Sequence, residues 1–247
     1  VAKEVFRRVD AHLQCELLAA DGDAVERGTR VMKITGSAIH ILEGERLALN
    51  FIQRMSGIAT RTAAVVASLK GTGCRVLDTR KTTPGIRAFE KWAVRIGGGV
   101  NHRMGLHDMI LIKDNHVDYA GSMLAAMEGV ASYLNERGLE LPVVVEVRDA
   151  QETQDAMEAR KRWAKPSGAP LIDRLLLDNH TPEQAALAVK KWGSEIPLEA
   201  SGGITPTNAR AYAESGVNFI SMGWLTHSVP GLDFSLKSTD QIQSFDE

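Results

Sequence analysis

From residue 74 onward the chain repeats one unit, in which a short apolar run, a polar loop and a segment of helical periodicity follow one another. Such strand–loop–helix repeats predict a parallel sheet with right-handed crossovers, so the expected fold class is α/β. Six units in succession favour a barrel or near-barrel over an open sheet. The predicted strands are residues 74–77, 109–112, 143–147, 175–177, 198–200 and 218–222.

Apolar residues between these strands recur every three or four positions, which predicts helices that pack against the sheet. The clearest series are Ile86, Phe89, Ala93 and Ile96, followed by Met123, Met127, Val130 and Leu134. The sequence TPEQ at 181–184 combines an N-cap threonine, a proline at the first helical position and a capping glutamine. Thr205-Pro206 predicts the start of the next helix in the same way.

The first 70 residues have a different pattern, because two alternating stretches at 15–20 and 30–34 predict a small antiparallel sheet. Two helical patterns follow, one over 45–55 and one over 58–69, with Ser56-Gly57 as the expected joint. Residues 232–236 are predicted to form one more strand. We therefore expect a companion domain of residues 1–70, completed by the tail 226–247, and a barrel domain of residues 71–225.

Composition limits the cellular setting and the class of partner. No apolar run is long enough to span a membrane, and no segment has the composition of a signal peptide. Cys15 and Cys74 match no metal-ligand spacing, so we expect reduced thiols and a cytoplasmic location. The formal charge of −2 and an aromatic content of 5% argue against a nucleic-acid surface.

Positive charge is concentrated in residues 78–116, which hold seven Lys/Arg, four acids and three of the seven histidines. Most of these cations lie beside turn signals in the motifs TRKTTPG at 79–85, GGGVNHR at 97–103 and LIKDNH at 111–116. Cations in loops that follow apolar strands are expected to face a cleft. A cationic cleft in a nearly neutral protein predicts a small ligand that carries several negative charges.

The charged and glycine-rich residues fall at the carboxyl ends of the predicted strands, where barrel enzymes place their chemistry. These ends are residues 78–81, 113–114, Glu146, Asp178, 201–203 and Gly223. Chance would not align so many polar residues on one rim. The rim is therefore the predicted active site.

Each cation on this rim has a distinct predicted role. Arg80 offers a planar fork for a carboxylate, whereas Lys81 offers a compact charge for a phosphate oxygen. His102 and Arg103 follow three glycines that allow a close approach of the backbone. Lys113 closes an apolar strand, where it would meet an anion, form a Schiff base or pair with Asp114.

Glu146 and Asp178 end neighbouring predicted strands and would suit either a divalent metal or sugar hydroxyls. The alternative is that each carboxylate pairs with a cation of the rim. Ser201-Gly202-Gly203 and Met222-Gly223-Trp224 end the last two strands. In parallel barrels, loops at this position often bind a phosphate through backbone N–H groups.

The motifs TRKTTPGIRAFEKWAVRIGGGVNHRMGLHD, LIKDNH, LLLDN, EASGGI and SMGWLTHS resemble those of nicotinate-nucleotide pyrophosphorylase, the quinolinate phosphoribosyltransferase family. The similarity extends from about Val5 to Leu236. It implies an incomplete α/β barrel with an N-terminal α/β sandwich domain. It also implies a homodimer with shared active sites and leaves open a hexamer of dimers.

The implied reaction joins quinolinate to phosphoribosyl pyrophosphate and releases pyrophosphate and CO2, with Mg2+, in NAD biosynthesis. By resemblance, the quinolinate carboxylates are held by Arg80, His102, Arg103 and Lys113. The ribose, pyrophosphate and metal are contacted by Lys81, Glu146 and Asp178. The 5′-phosphate site comprises Ser201, Gly202, Gly203 and Gly223, with Thr79, Met222 and Trp224 as further substrate-binding residues.

Arg46 matches an arginine that reaches the neighbouring subunit's site. The chain departs from the family at its first residue, Val1, since members normally carry a longer N-terminus, and we expect the natural chain to begin earlier. The segment between Glu146 and Asp178 is also longer than in many members.

Three rival functions remain open from the sequence. A related phosphoribosyltransferase would use another carboxylate, such as nicotinate, and would release no CO2. A Schiff-base aldolase or lyase would use Lys113 or Lys81 as its amine. A non-enzymatic binding protein would need the same cationic cleft without turnover.

Overall fold

The computed structural model describes residues 1–238, and the chain alternates helices and strands along most of that length. The elements are α1 (Ala2–Val9), β1 (Gln14–Leu17), β2 (Met32–Thr35), α2 (Ala38–Ser68), β3 (Arg75–Leu77), α3 (Arg87–Ile96), β4 (Ile110–Ile112), α4 (Asp114–Ala120), α5 (Met123–Arg137), β5 (Val143–Val147), α6 (Ala150–Arg162), β6 (Arg174–Asp178), α7 (Pro182–Trp192), β7 (Leu198–Ser201), α8 (Ala209–Glu214), β8 (Phe219–Ser221) and α9 (Trp224–His227).

The six predicted strands of the repeat are confirmed as one parallel sheet with the order β3-β8-β7-β6-β5-β4. Each strand lies within one or two residues of its predicted bounds. The sheet is open between β3 and β4, and a parallel bridge from Leu77 to Val100 extends it beyond β3. The α/β fold with an incomplete barrel is therefore confirmed.

The sheet is buried on both faces, which explains the continuous apolar character of its strands. All five residues of β5 are buried, Glu146 among them. Met127 and Leu134 of α5 and Met157 of α6 are fully buried in the same core. Each such side chain contributes on the order of 1.5–3 kcal/mol through removal from water, so the helices hold the strand ends in a fixed arrangement.

The predicted helix starts have different outcomes. Thr181 and Gln184 form the expected reciprocal cap of α7, with Pro182 in the first turn. The start predicted at Thr205-Pro206 is wrong by several residues, because α8 begins at Ala209. The Thr205 amide donates to the side chain of Asn208, and this turn occupies the residues that the sequence assigned to the helix.

The companion region contains α1, the β1–β2 hairpin and the first half of α2, packed around Phe6, Leu13 and Ala48. The two predicted strands pair antiparallel, with Cys15 opposite Ile34. Both are short, at four residues each.

The predicted joint at Ser56-Gly57 is wrong, because α2 runs without interruption through it from Ala38 to Ser68. Gly57 is buried, and a β-carbon built there would overlap the carbonyl oxygen of Pro230. The glycine therefore allows the tail to pack closely against the helix and does not end it.

The strand predicted at 232–236 is also wrong. The amide of Leu232 donates to the Gln53 carbonyl, and the Gln53 side chain donates to the carbonyl of Phe234. Because its hydrogen bonds go to α2, this segment forms no strand ladder. Residues 239–247 of the predicted tail lie outside the described residues, and the proposed domain boundaries stay a prediction.

Candidate active site

A cavity of about 800 Å3 opens at the carboxyl ends of the parallel strands. Almost all of the predicted site residues line it, so the expectation of a single polar rim is met by the geometry. These residues are Thr79, Arg80, Lys81, His102, Arg103, Lys113, Glu146, Asp178, Ser201, Gly202, Gly203, Gly223 and Trp224. Two are not in the lining. Met222 is buried in the core, and Arg46 is exposed on α2.

Five cations border the cavity, namely Arg80, Lys81, Arg87, Arg103 and Lys113. Arg103 is the most enclosed of these, with 6% of its surface exposed. Burial lowers its pKa, and the neighbouring Arg80 cation acts in the same direction. An arginine held in this way has few protein acceptors and is well placed to receive an anionic ligand.

Two cations of the charged window do not face the cavity. Lys91 is buried and forms an ion pair with Asp78, and Arg95 is exposed on α3 away from the lining. The expectation that these cations face the cleft is therefore wrong for Lys91 and Arg95, which lie in the middle and in the last turn of α3, outside the three loop motifs.

The loop at 79–85 is fixed by contacts from three other segments. The Lys81 amide donates to the Thr79 hydroxyl, and the Thr226 hydroxyl donates to the Lys81 carbonyl at 2.8 Å. Behind the loop, Arg54 donates to the buried Glu90, which accepts the Thr83 amide through its other oxygen. These bonds hold Lys81 at the mouth of the cavity.

The loop at 101–103 is tied to the end of β3 by a buried polar cluster around Asp78. The carboxylate of Asp78 accepts from Lys91, from the Asn101 side chain and from the His102 amide. Burial raises the pKa of Asp78, while these three donors favour the carboxylate and oppose that rise. The cluster fixes the backbone from which Arg103 projects.

The two predicted carboxylates lie on neighbouring strands, as expected, but in different surroundings. Lys113 Nζ lies 2.7 Å from Oε2 of Glu146, so Lys113 pairs across the sheet and not with Asp114. Asp178 accepts from Asn179 at 2.7 Å. Within residues 1–238 Asp178 makes no ion pair, so its carboxylate faces the cavity without a protein cation.

The turn after β7 has a shape that only glycine permits. Gly202 has φ of +100°, and a β-carbon there would overlap the side-chain oxygen of Asn179. Asn179 itself has a positive φ of 52°, and its amide donates to the Ser201 carbonyl at 2.8 Å. Two adjacent strand ends are thus locked together beside the predicted phosphate site.

The carboxylates also bear on whether a magnesium ion fits this cavity. Residues 1–238 contain no cluster of three or more His, Cys, Asp or Glu able to hold a metal by themselves. Mg2+ commonly uses one or two carboxylates and completes its shell with water and substrate phosphates. Glu146 and Asp178 fit that second type of site, in which the ligand brings most of the oxygens.

Comparisons with known proteins agree with this geometry. The model for the quinolinate phosphoribosyl transferase C-terminal domain matches residues 58–237, and that for the N-terminal domain matches residues 1–56. The chain belongs to this family. It is 42% identical over 246 residues to a chloroplastic nicotinate-nucleotide pyrophosphorylase (carboxylating) of Arabidopsis thaliana, covering 98% of this chain and 70% of the relative.

A probable nicotinate-nucleotide pyrophosphorylase (carboxylating) of Bacillus subtilis is 40% identical over 247 residues, covering all of this chain and 81% of the relative. The crystal structure of NadC from Streptococcus pyogenes superposes with a TM-score of 0.86 at 38% identity, covering 96% of this chain and 79% of that one. The fold inferred from the repeat is therefore the fold of the family.

Sequence reasoning missed several residues that line this cavity, including Asn179, Glu199, Ser221 and His227. Glu199 could have been identified from the sequence, since an acid in the middle of an apolar strand predicts a buried charge with a partner. It is fully buried on β7, with Arg174 Nε at 2.9 Å and His102 Nε2 at 3.5 Å. Both partners are remote in sequence.

Proposed function

We propose that this protein is a quinolinate phosphoribosyltransferase that makes nicotinate mononucleotide, pyrophosphate and CO2 from quinolinate and phosphoribosyl pyrophosphate, in NAD biosynthesis. The observation that carries the proposal is the convergence of five cations and three carboxylates on one cavity at the strand ends. Both substrates are polyanions, so their joint binding requires this excess of positive charge. The family relationship supports the same reaction.

The quinolinate subsite is assigned to Arg80, Arg103 and Lys113, with His102 beside them. Quinolinate carries two adjacent carboxylates, and a guanidinium can bind a carboxylate with two parallel hydrogen bonds. The low exposure of Arg103 supports this role, because a charge-assisted contact is stronger where water is excluded. Lys113 would contact a ligand carboxylate, and its ammonium group would stay close to Glu146.

The ribose and pyrophosphate subsite is assigned to Lys81, Glu146 and Asp178. Positive charge grows on the ribose as pyrophosphate leaves, so carboxylates directed at the sugar would stabilise the transition state. Lys81 lies in the exposed loop at the cavity mouth and would balance the leaving group. Mg2+, when bound with the substrate, would supply further charge neutralisation to the pyrophosphate oxygens.

The 5′-phosphate subsite is assigned to the two glycine turns that end β7 and β8, with Thr79 and Trp224 beside them. Gly202 and Gly203 both have positive φ, and the backbone N–H groups of such a glycine turn are accessible to an anion. A β-carbon on Gly223 would crowd Lys81. The absence of side chains there leaves room for phosphate oxygens.

Release of CO2 follows from the electronic state of the ribosylated ring. Once the ring nitrogen carries the ribose, the pyridinium cation stabilises the carbanion that is left when the adjacent carboxylate departs as CO2. This carbanion then takes up a proton from water to give nicotinate mononucleotide. No protein nucleophile is needed for this step. The enclosed guanidinium of Arg103 and its neighbours would hold the ring in place.

A homodimer with shared active sites is part of the proposal, with a hexamer of dimers as a further assembly. Arg46 is exposed on α2 and does not reach the cavity of its own chain. Ile39, Leu42 and Leu47 on the same helix expose 69%, 65% and 53% of their surfaces. This apolar patch beside Arg46 supports a partner that covers the helix and receives the arginine.

A cytoplasmic location is also proposed, and the state of the two cysteines supports it. Cys15 and Cys74 are both free thiols, which suits a reducing compartment. None of the helices in residues 1–238 is long and apolar enough to cross a membrane. Fractionation of cells that express the tagged protein would test the location.

An assay of the purified protein for pyrophosphate and CO2 release tests the reaction. Both products should require quinolinate, phosphoribosyl pyrophosphate and Mg2+ together. Turnover of nicotinate without CO2 release would indicate a related transferase instead. Trapping of a substrate adduct on Lys113 or Lys81 by borohydride would indicate Schiff-base chemistry, and tight binding without turnover would indicate a binding protein.

A further inference from the structure

Trp224 follows the glycine turn after β8, and its ring is covered by an arginine from α2. The guanidinium carbon of Arg61 lies 3.3 Å from the centre of the indole ring. Trp224 lines the cavity, whereas Arg61 is not among the lining residues. A planar guanidinium stacks on an indole and is attracted by the negative charge of the ring face. The first residue of α9 is therefore held by a contact made outside the cavity.

The same guanidinium reaches the other end of α9. Its Nη1 atom donates to the Ser228 carbonyl at 2.8 Å, so the side chain of Arg61 spans this short helix. Within residues 1–238 Arg61 forms no ion pair with a carboxylate. Burial and the nearby Arg54 cation both lower its pKa, so the ring of Trp224 and the Ser228 carbonyl are the groups that stabilise its charge.

A second arginine of α2 supports the same carbonyl end of α9. Arg54 lies seven residues before Arg61, on the same face of the helix. It donates to the carbonyls of Thr226 at 2.7 Å and Val229 at 3.1 Å. Carbonyls at the end of a helix have no partner within it, and cationic donors satisfy them. Because Arg54 also supports the loop at 79–85, Arg61 is the more selective probe of α9.

We propose that Arg61 is a positioning residue for the 5′-phosphate subsite, an inference that rests on the proposed function. Its contacts with Trp224 and Ser228 hold α9, and α9 fixes the turn that contains Gly223. A helix of four residues has little stability of its own, so it needs such external support. Space at the turn is also limited, since a β-carbon on Gly223 would lie 2.9 Å from the Lys81 side chain. A movement of α9 would therefore change the room left for phosphate.

The positioning of α9 can be measured without any substrate. Amide hydrogen exchange in the whole chain, followed by mass spectrometry, reports how readily each segment opens. Arg61→Ala should speed exchange in peptides from 222–229 by about threefold or more, as expected for loss of a cation–π contact. Unchanged exchange in these peptides, or faster exchange spread evenly over the protein, would overturn the proposal.

Arg210→Ala is the matched control for this measurement. Arg210 also donates to backbone carbonyls of a distant segment, those of Ser68 and Lys70 beside the carboxyl end of α2. It is not among the residues that line the cavity. Its removal should leave exchange at 222–229 unchanged. An equal increase in both variants would show a general loosening of α2 and count against a specific role of Arg61.

The effect on the subsite is tested by calorimetry with phosphoribosyl pyrophosphate and with quinolinate. Arg61→Ala should weaken binding of phosphoribosyl pyrophosphate about threefold or more, in line with the lost contact. Quinolinate affinity should not change, because that ligand has no 5′-phosphate. Equal losses for both ligands would indicate a purely structural role, and an unchanged affinity for phosphoribosyl pyrophosphate would also overturn the proposal.

Arg61→Lys separates positioning from the presence of a positive charge and serves if the alanine variant does not fold. Lysine keeps the charge, but its compact ammonium cannot stack on the ring and bind the Ser228 carbonyl at once. Its affinity for phosphoribosyl pyrophosphate should therefore fall below that of the wild type, and wild-type affinity would show that charge alone matters. If the wild-type protein does not bind phosphoribosyl pyrophosphate, the proposed function is refuted, and the exchange measurement still decides whether Arg61 holds α9.

Discussion

Lys113 Nζ and Oε2 of Glu146 are 2.7 Å apart and join the ends of two neighbouring strands, β4 and β5. The lysine is 44% exposed, whereas the glutamate is only 6% exposed. The pair therefore has a solvent-accessible cationic side at the cavity surface and a buried anionic side below it. Lys113 can contact a substrate carboxylate while the charge of Glu146 keeps its position.

This arrangement predicts separate effects on binding and turnover. Glu146→Gln and Asp178→Asn should each lower kcat by about tenfold or more, because each removes a charge that stabilises the developing cation on the ribose. Quinolinate affinity should change much less. Steady-state kinetics and direct binding would measure the two effects, with the exposed Glu158→Gln as the matched control. Loss of quinolinate affinity with normal turnover at saturation would refute the assignment.

Arg103→Ala should weaken quinolinate binding by about 2–4 kcal/mol, since it leaves a buried carboxylate of the ligand without its charged partner. Binding of phosphoribosyl pyrophosphate should change much less, because its proposed subsite lies on the other side of the cavity. Calorimetry with each ligand would separate the subsites. Arg95→Ala removes an exposed arginine outside the lining and should alter neither affinity, while equal losses for both ligands with Arg103→Ala would contradict the division.

The glycine turn after β7 gives a paired prediction. Gly202→Ala should destabilise the protein more than Gly203→Ala, because only the first substitution adds an overlap with Asn179 to the backbone strain. The strain alone costs about 1–2 kcal/mol at a left-handed position such as that of Gly203. Urea unfolding of both variants provides the comparison. Equal losses would mean that the turn rearranges and that Gly202 is not required for space.

Asp78→Asn should destabilise the protein by about 3–5 kcal/mol, because it leaves the ammonium of Lys91 buried without its counter-charge. Lys91 is only 1% exposed, so water cannot replace the lost partner. The control is Asp118→Asn, which removes an exposed partner of Arg148 and should cost far less, because water screens that pair. Denaturant unfolding would measure both, and similar small losses would show that Lys91 reaches solvent.

The proposed sharing of the active site between subunits predicts complementation between two variant chains. When an Arg46→Ala chain is mixed with a Lys113→Ala chain, one site of each mixed dimer receives both wild-type residues. With equal amounts and free exchange of subunits, about a quarter of all active sites should carry both wild-type residues. Mixing Lys113→Ala with Glu146→Gln is the control. Both residues line the cavity of their own chain, so every site in a mixed dimer still carries one of the two changes. Proven exchange without recovery would show that Arg46 does not act in trans.

The rim could be predicted from the sequence because parallel strands bring their carboxyl ends to one side. Lys113, Glu146 and Asp178 each close an apolar run, so their grouping follows from the repeat alone. The role of Gly57 could not be predicted in the same way. A glycine is needed there because Pro230, from a distant part of the chain, packs against the helix at that point. Ser-Gly is also a common signal for a joint, and local propensity pointed to the wrong conclusion.

Glu199 shows the same limit within the site. Its strand position was predicted correctly, but its partners come from the loop at 101–103 and from the start of β6. Only the strand order of the sheet brings these three segments together. The segment at 232–236 has the composition of a strand, yet its backbone forms hydrogen bonds with Gln53 of α2. The local sequence gives no indication of this contact.

The uninterrupted course of α2 affects how the molecule can be divided. A helix of 31 residues is about 46 Å long. Its amino-terminal half packs on Phe6, and its centre carries Arg54, which holds Glu90 and Thr83 behind the Lys81 loop. A cut at residue 57, where the two family matches separate, would therefore interrupt this continuous helix. It would also separate Arg54 from the loop at 79–85 that it supports.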